Sequence, residues 1–364
     1  MSLPRRRFPA LLLVATALMA GGPGALAQSP DASLPRSNVS DLVTFVPPSA
    51  ETVGFTDWGR IKASQGAQDV TGSSPIEDKF AVGLSTAQDE AAASGFGFAH
   101  LRDHFDTWAF DGLDLAWEAT IQGSGPPMFV LRFRDGFDLA PVAALFDERG
   151  FTTAQIPGGV LRTHELSLTD DWLRATEFAI LNTAFLDDGR TLVLSGDAAQ
   201  VQDLAANHGQ FPVVAGLDAT GAALDGASAA LFLLGVGTCV TDAFRAIGAG
   251  TALASSLPSP ATAGLHPYAA LGIGYGRPDW SPMGRISFGY VDPATASADL
   301  TRRLDLATTG LSQRVRRPYP DVLFRVVDSR VDGANLTFDV APKDDLPRLL
   351  FDMAYSRDML FAGC

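Results

Sequence analysis

His100 and His104 stand four residues apart, and on a helix that spacing lays both rings on one face, where two imidazoles could ligate a metal ion. Asp103 lies beside them, but a further ligand would have to come from elsewhere in the chain. The zinc-protease pattern needs a glutamate directly after the first histidine, and Leu101 occupies that place. His100 and His104 are therefore the metal candidates, set against the plainer reading of a surface helix. No metal or other cofactor is assigned.

Other chemistries leave less trace. There is no G-x-S-x-G elbow, and no serine stands three residues before Lys62, Lys79 or Lys343, the only lysines. His164, His208 and His266 have no sequence neighbours that single them out as general bases. A triad assembled from distant segments stays open, because its members meet only in space. Asp114 and Glu118 on one strand face would be roughly 13 Å apart at strand rise. Glycosidase carboxylates stand about 5–9 Å apart, so these two are not an acid/base pair. Gly272-x-Gly274-x-Gly276 has its third glycine one place early for a dinucleotide turn, and Arg277-Pro278 stops the helix that should follow. Small residues in a tightly packed strand are the simpler account. Of the five tryptophans, which could line a sugar or peptide groove, Trp117 at least is assigned to the core by alternation.

Cys239 and Cys364 are the only cysteines, and neither sits in a motif that would activate a thiolate. They form a possible disulfide if the chain is exported, the alternative being two unpaired thiols. The N-terminus speaks for export. Arg5-Arg6-Arg7 precede an apolar run from Phe8 that dissolves at Gly21, and Ala25-Leu26-Ala27 follows. A basic start, a short apolar segment and a small-x-small site define a signal peptide, here residues 1–27, with cleavage expected after Ala27. The arginines also fit a twin-arginine signal, and the sequence does not choose between that and the general route. The apolar stretch at 227–237 is far short of the ~20 residues a spanning helix needs. The mature chain is expected to be soluble, periplasmic or extracellular, without a transmembrane segment.

Signal removal takes three of the 27 basic residues and none of the 41 acidic ones, leaving a formal charge of −17. A surface that negative repels phosphate backbones, so nucleic acid is excluded as a partner. An envelope protein or polymer is the partner class that remains.

The elements that must position any site are legible as pattern. Residues 28–40 read as a disordered leader, with an N-terminal α+β unit at 41–210 and a C-terminal one at 211–364. Strand signals fall at 42–46, 53–58 and 113–121; in the last, alternation points Trp117 inward and Glu118 toward solvent. Residues 76–108 read mainly as helix, 228–237 as a buried strand, 241–254 as a helix and 268–276 as a strand.

One order of elements occurs twice. In a first copy at 127–207, a strand at 129–133 precedes an Asp-capped helix, a hairpin turning at Asp187-Asp188-Gly189 and a closing helix from 197. In a second copy at 283–361, a strand at 286–291 precedes a helix from 293, a hairpin turning at Asp332-Gly333 and a helix from 344. Asp-Gly between alternating apolar runs is a strong hairpin signal, because the turn needs residues tolerant of positive φ. The first copy carries extra residues around 151–165, where Gly158-Gly159 marks another turn.

The expected fold class is α+β: two similar strand-helix-strand-strand-helix units forming mostly antiparallel sheets covered by helices. In general pattern the chain resembles exported bacterial proteins built from such repeated units. No catalytic residue is nominated. The expected function is non-enzymatic binding or scaffolding in the cell envelope or exterior. The alternatives are an envelope-polymer hydrolase with a dispersed site between the two copies, and a metal carrier at His100/His104.

Overall fold

Among the described residues, twelve strands, antiparallel throughout, make one continuous sheet. The structure, a computed structural model, describes residues 38–88, 93–96, 104–167, 169–170, 172, 178–235, 238–239, 262, 264–276 and 284–364. The signal peptide, the leader up to residue 37, His100, the helix expected at 241–254 and Trp280 lie outside these residues.

In chain order the strands are β1 (Thr52–Thr56), β2 (Leu115–Gln122), β3 (Met128–Phe133), β4 (Thr152–Ile156), β5 (Gly159–Thr163), β6 (Asn182–Leu186) and β7 (Thr191–Ser195). Then come β8 (Ala229–Leu234), β9 (Ala270–Tyr275), β10 (Gly284–Gly289), β11 (Phe324–Asp332) and β12 (Asn335–Pro342). The α-helices described are α1 (Val39–Val43), α2 (Trp58–Ser64), α3 (Ile76–Gln88), α4 (His104–Trp108) and α5 (Ala140–Glu148). They continue as α6 (Ala198–Asn207), α7 (Leu217–Ala223), α8 (Pro293–Thr309), α9 (Tyr319–Val322) and α10 (Arg348–Tyr355). The class is α+β, as the patterning implied.

The sheet order is β11-β12-β10-β9-β8-β1-β2-β3-β7-β6-β5-β4. The segments on either side of residue 210 thus share one sheet and meet where β1 pairs with β8. Outward from that pair, one side runs β1, β2, β3 and then the hairpin β7–β6; the other runs β8, β9, β10 and then the hairpin β12–β11. The β5–β4 hairpin extends the first side only.

Local chemistry explains the elements. Asp57 caps α2 by accepting from Arg60 N at 2.9 Å, and Asp292 caps α8 by accepting from Thr295 N at 2.9 Å, with Pro293 in the first turn. β8 is buried at all six positions: Ala229, Leu231 and Leu233 join one core, Ala230, Phe232 and Leu234 another. That is the composition of a strand covered on both faces. The face carrying Ala230 packs under α1, α6 and α7. The opposite face packs under α2, α3, α4 and α5 in one half and α8, α9 and α10 in the other. Gly272 of β9 lets α7 approach, since a Cβ there would lie 2.4 Å from Thr220 Cγ2 and 2.8 Å from Leu224 Cδ1. Gly272 therefore serves packing.

Four expectations need correction. Residues 42–46 are not a strand: α1 ends at Val43, and Val39 and Leu42 are buried against α7 and the sheet. Residues 39 and 40, placed with the leader, belong to that helix. The alternation from Leu113 to Ile121 does not hold one face. The β2–β3 register shifts between Leu115 and Trp117, so Leu115 enters the core under α2–α5 while Trp117, Ala119 and Ile121 enter the opposite core. Glu118 does not reach solvent; it is fully buried, because α2 and the 93–96 segment cover the face that alternation assigned to water.

Candidate functional site

Of the two metal candidates, the structure describes His104 alone. His104 is buried, its Nδ1 2.7 Å from the carbonyl oxygen of Phe110 and its ring edge-on to Phe96 and Phe110. It packs and hydrogen-bonds inside, where the plainer reading placed it on a surface helix. His100 falls outside the described residues, and among those residues no group of three or more His, Cys, Asp or Glu could hold a metal ion. Trp58, Trp108 and Trp117 are all core residues, so none lines a groove.

Two of the three lysines are buried, in one charged cluster. Lys79 Nζ lies 2.6 Å from Asp111 Oδ2 and 3.0 Å from the Gly72 carbonyl oxygen. Lys62 Nζ donates to the carbonyls of Leu113, at 2.7 Å, and Val70, at 3.1 Å. Asp114, in a turn ahead of β2, accepts from the backbone N–H groups of Gly72 and Asp111. Burial pushes Lys62 below the ordinary lysine range and raises Asp111 and Asp114 above the usual carboxylate range. These groups tie the 66–75 loop to the sheet.

A second cluster has a solvent-facing member. His266 Nδ1 stands 2.7 Å from Asp299 Oδ1, and the imidazole is half exposed while the carboxylate is buried. Asp299 Oδ2 also accepts from Tyr290 Oη at 2.9 Å and Arg303 Nε at 3.1 Å. Burial favours the neutral acid, but the His266 hydrogen bond and the Arg303 charge outweigh it and hold Asp299 below the usual carboxylate range. An ionised carboxylate only accepts, so Nδ1 donates, and in the neutral ring Nε2 carries the lone pair outward. This is the geometry of a general base held by its orienting acid. Among the described residues, however, no hydroxyl or thiol hydrogen-bonds to that Nε2.

The same cluster fastens the end of the chain. Arg303 is fully buried, donates to the carbonyls of Phe361, Gly363 and His266, and lies among the rings of Tyr268, Phe288 and Tyr290. Tyr268 Oη donates toward the carbonyls of Ala362 and Thr238. Cys239 and Cys364 stand at disulfide distance, their Cα atoms 5.2 Å apart across 125 positions of sequence.

A third feature is a cleft of about 470 Å³ between α7 and the outer face of β10, β12 and β11. Its walls include Arg285, Arg330, Asp332, Asn335 and Thr337. Asp339 holds both arginines: Arg285 Nε is 2.9 Å from its Oδ1, and Arg330 pairs with its Oδ2. Arg285 Nη1 also donates to the carbonyl of Ala223 at the end of α7, at 3.1 Å. Buried Ser287 donates to Asn335, one of the lining residues, at 2.8 Å. A neighbouring cleft of about 590 Å³, between α1 and α7, shares Ala222 with it.

Neither feature was nominated from sequence. The cleft had a signal, because Arg285-Ile286-Ser287-Phe288 and Asn335-Leu336-Thr337-Phe338-Asp339-Val340 alternate strictly and place every polar side chain on one face. The His266–Asp299 pair had none.

Among solved structures, the chain is similar to crystal form I of TP0453, at 9% identity and a TM-score of 0.36, covering 87% of this chain and 97% of that one. It is likewise similar to crystal form III of TP0453, at 8% identity and a TM-score of 0.38, covering 85% of this chain and 97% of that one. No family model and no curated protein matches the chain. Among the described residues, no helix is long and apolar enough to cross a membrane.

Proposed function

We propose that this is an exported, non-enzymatic protein of the cell envelope or exterior that binds or scaffolds a polar partner in the cleft beside α7. The observation that carries the reading is the polar sheet face itself. Here Arg285, Arg330, Asn335 and Thr337 line an open cleft, with both arginines held by Asp339, Arg285 also by the α7 terminus, and Asn335 by Ser287 and Thr337. Fixed donors and acceptors in a concave site bind without first losing side-chain freedom. The basic leader, the small-x-small site and the paired cysteine positions support export, and the acidic charge argues against nucleic acid. The matching strand order on the two sides of the β1–β8 pair supports an origin in two copies of one unit, with β4–β5 as an addition to the first.

The test is calorimetry of the purified mature protein with solubilised glycan and peptide fragments of the cell wall. Binding that is lost in Arg330→Ala and Thr337→Val, with folding unchanged, supports the cleft. Binding that survives both substitutions refutes it.

A second reading, an envelope-polymer hydrolase, is favoured by the half-exposed His266 held by Asp299. Both residues belong to the 211–364 segment, so this site would not lie between the copies. Release of soluble fragments from wall polymer, abolished by His266→Ala, would decide for it.

A further inference from the structure

A sheet that does not close has two edges, and exposed edges invite pairing with another strand. Here the two edges are built differently. β11 carries Arg325, Asp328, Arg330 and Asp332, and its register against β12 shifts between Val326 and Asp328. Charges and a bulge are the usual means of keeping an edge unpaired. β4 has neither. No charged residue occurs from Phe151 to Leu161, in a chain of which 19% of residues are charged. Thr152, Thr153, Ala154 and Gln155 are exposed, and Ile156 is half-buried. The strand holds its extended form by pairing with β5 alone, in perfect register from Thr152↔Thr163 to Ile156↔Gly159.

The two-residue turn at Pro157-Gly158 makes Ile156 and Gly159 the closing hydrogen-bonded pair. In the alternation of an antiparallel ladder, Ala154 and Thr152 then also bond to β5. The N–H and C=O groups of Thr153 and Gln155 point the other way, toward open solvent. Among the described residues nothing pairs beyond β4.

We propose that β4 is a self-association edge, at which a second copy of this chain adds its own β4 antiparallel across a two-fold axis at Ala154. Thr153 of one copy then exchanges backbone hydrogen bonds with Gln155 of the other, about four bonds in all, and the two Ala154 residues face each other as a close pair. The occupant follows from charge. Without residues 1–27 each chain carries a formal −17, so two copies repel over most of their surfaces, and the uncharged 151–161 hairpin is where they can approach at least cost. The strand is its own complement: Thr opposes Gln, Thr opposes Ile, and no like charges meet. Five residues a side bury less than the ~1,000 Å² typical of stable interfaces, so the dimer is weak and concentration-dependent.

The experiment is light scattering on size-fractionated mature protein over a concentration series, with three variants. Wild type should pass from monomer toward dimer as concentration rises. Gln155→Pro removes one outward N–H while leaving the bonds to β5, and Thr153→Lys adds a charge; both should stay monomeric with wild-type circular dichroism. Ala154→Cys should give a disulfide dimer on mild oxidation, because a close antiparallel pair is within bridging distance. A cysteine at exposed Gln210 is the control. A wild type that stays monomeric throughout, or Ala154→Cys dimers no more abundant than those of the control, overturns the proposal. So does capture by β4 of an unrelated extended peptide without self-association.

Discussion

Lys79 Nζ meets Asp111 Oδ2 at 2.6 Å, and neither side chain is exposed by more than a twentieth. The pair joins α3 to the turn that precedes β2, across 32 positions of sequence. Breaking a buried ion pair from one side strands the other charge. Lys79→Met should therefore cost about 3–5 kcal/mol in urea unfolding. Adding Asp111→Asn, which keeps the acceptor for Leu113 N, should return part of that loss. Equal stability of Lys79→Met and wild type would show the pair to be unimportant.

Asp57 gives a pH dependence of definite sign. Burial raises its pKa from 3.8 to about 6, against the lowering effects of the Arg60 and Asn38 hydrogen bonds. The folded state thus prefers the protonated acid. Its penalty is absent below about pH 4, grows as pH rises through 4–6, and is complete above about 6. The gap corresponds to about 3 kcal/mol as an upper bound. Asp57→Asn should flatten the fall in stability across this window and keep the α2 cap, less whatever is lost because the amide has one acceptor where the carboxylate has two. Denaturation midpoints measured from pH 4 to pH 7 would read this directly, and an unchanged slope would count against the assignment.

Gly272→Ala places a methyl into Thr220 and Leu224. Overpacking of this kind costs about 1–3 kcal/mol. If α7 is held as described, adding Thr220→Ala should recover part of the loss in thermal unfolding. A harmless Gly272→Ala would mean that α7 stands farther from β9.

A bond between Cys239 and Cys364 would close a long loop and contribute about 5 kcal/mol, if unstrained. Protein isolated without reductant should then contain no titratable thiol, and reduction should add two hydrogens of mass and lower the melting temperature. Free thiols in exported protein would refute the bond.

The hairpins at Gly189 and Gly333, both with positive φ, were readable because turn chemistry is local. So were the capped helices at Asp197 and Asp292 and the fully apolar β8. The reading of β2 failed at a bulge, which changes no residue type and so leaves no mark in an alternating pattern. Glu118 was misplaced for a related reason. Alternation separates two faces but does not say that a second layer covers the polar one.

What the sequence by itself determined was the α+β class, the hairpin turns at Gly189 and Gly333 and the capped helix starts at Asp197 and Asp292, because capping, turn propensity and period depend on near neighbours. Only the tertiary structure decided that both segments share one sheet through β1 and β8, that His104 packs inside, and that His266 meets Asp299 across 33 residues. Those outcomes depend on which faces come together. Many pairings of such faces satisfy the same local pattern, and only the packed chain selects one.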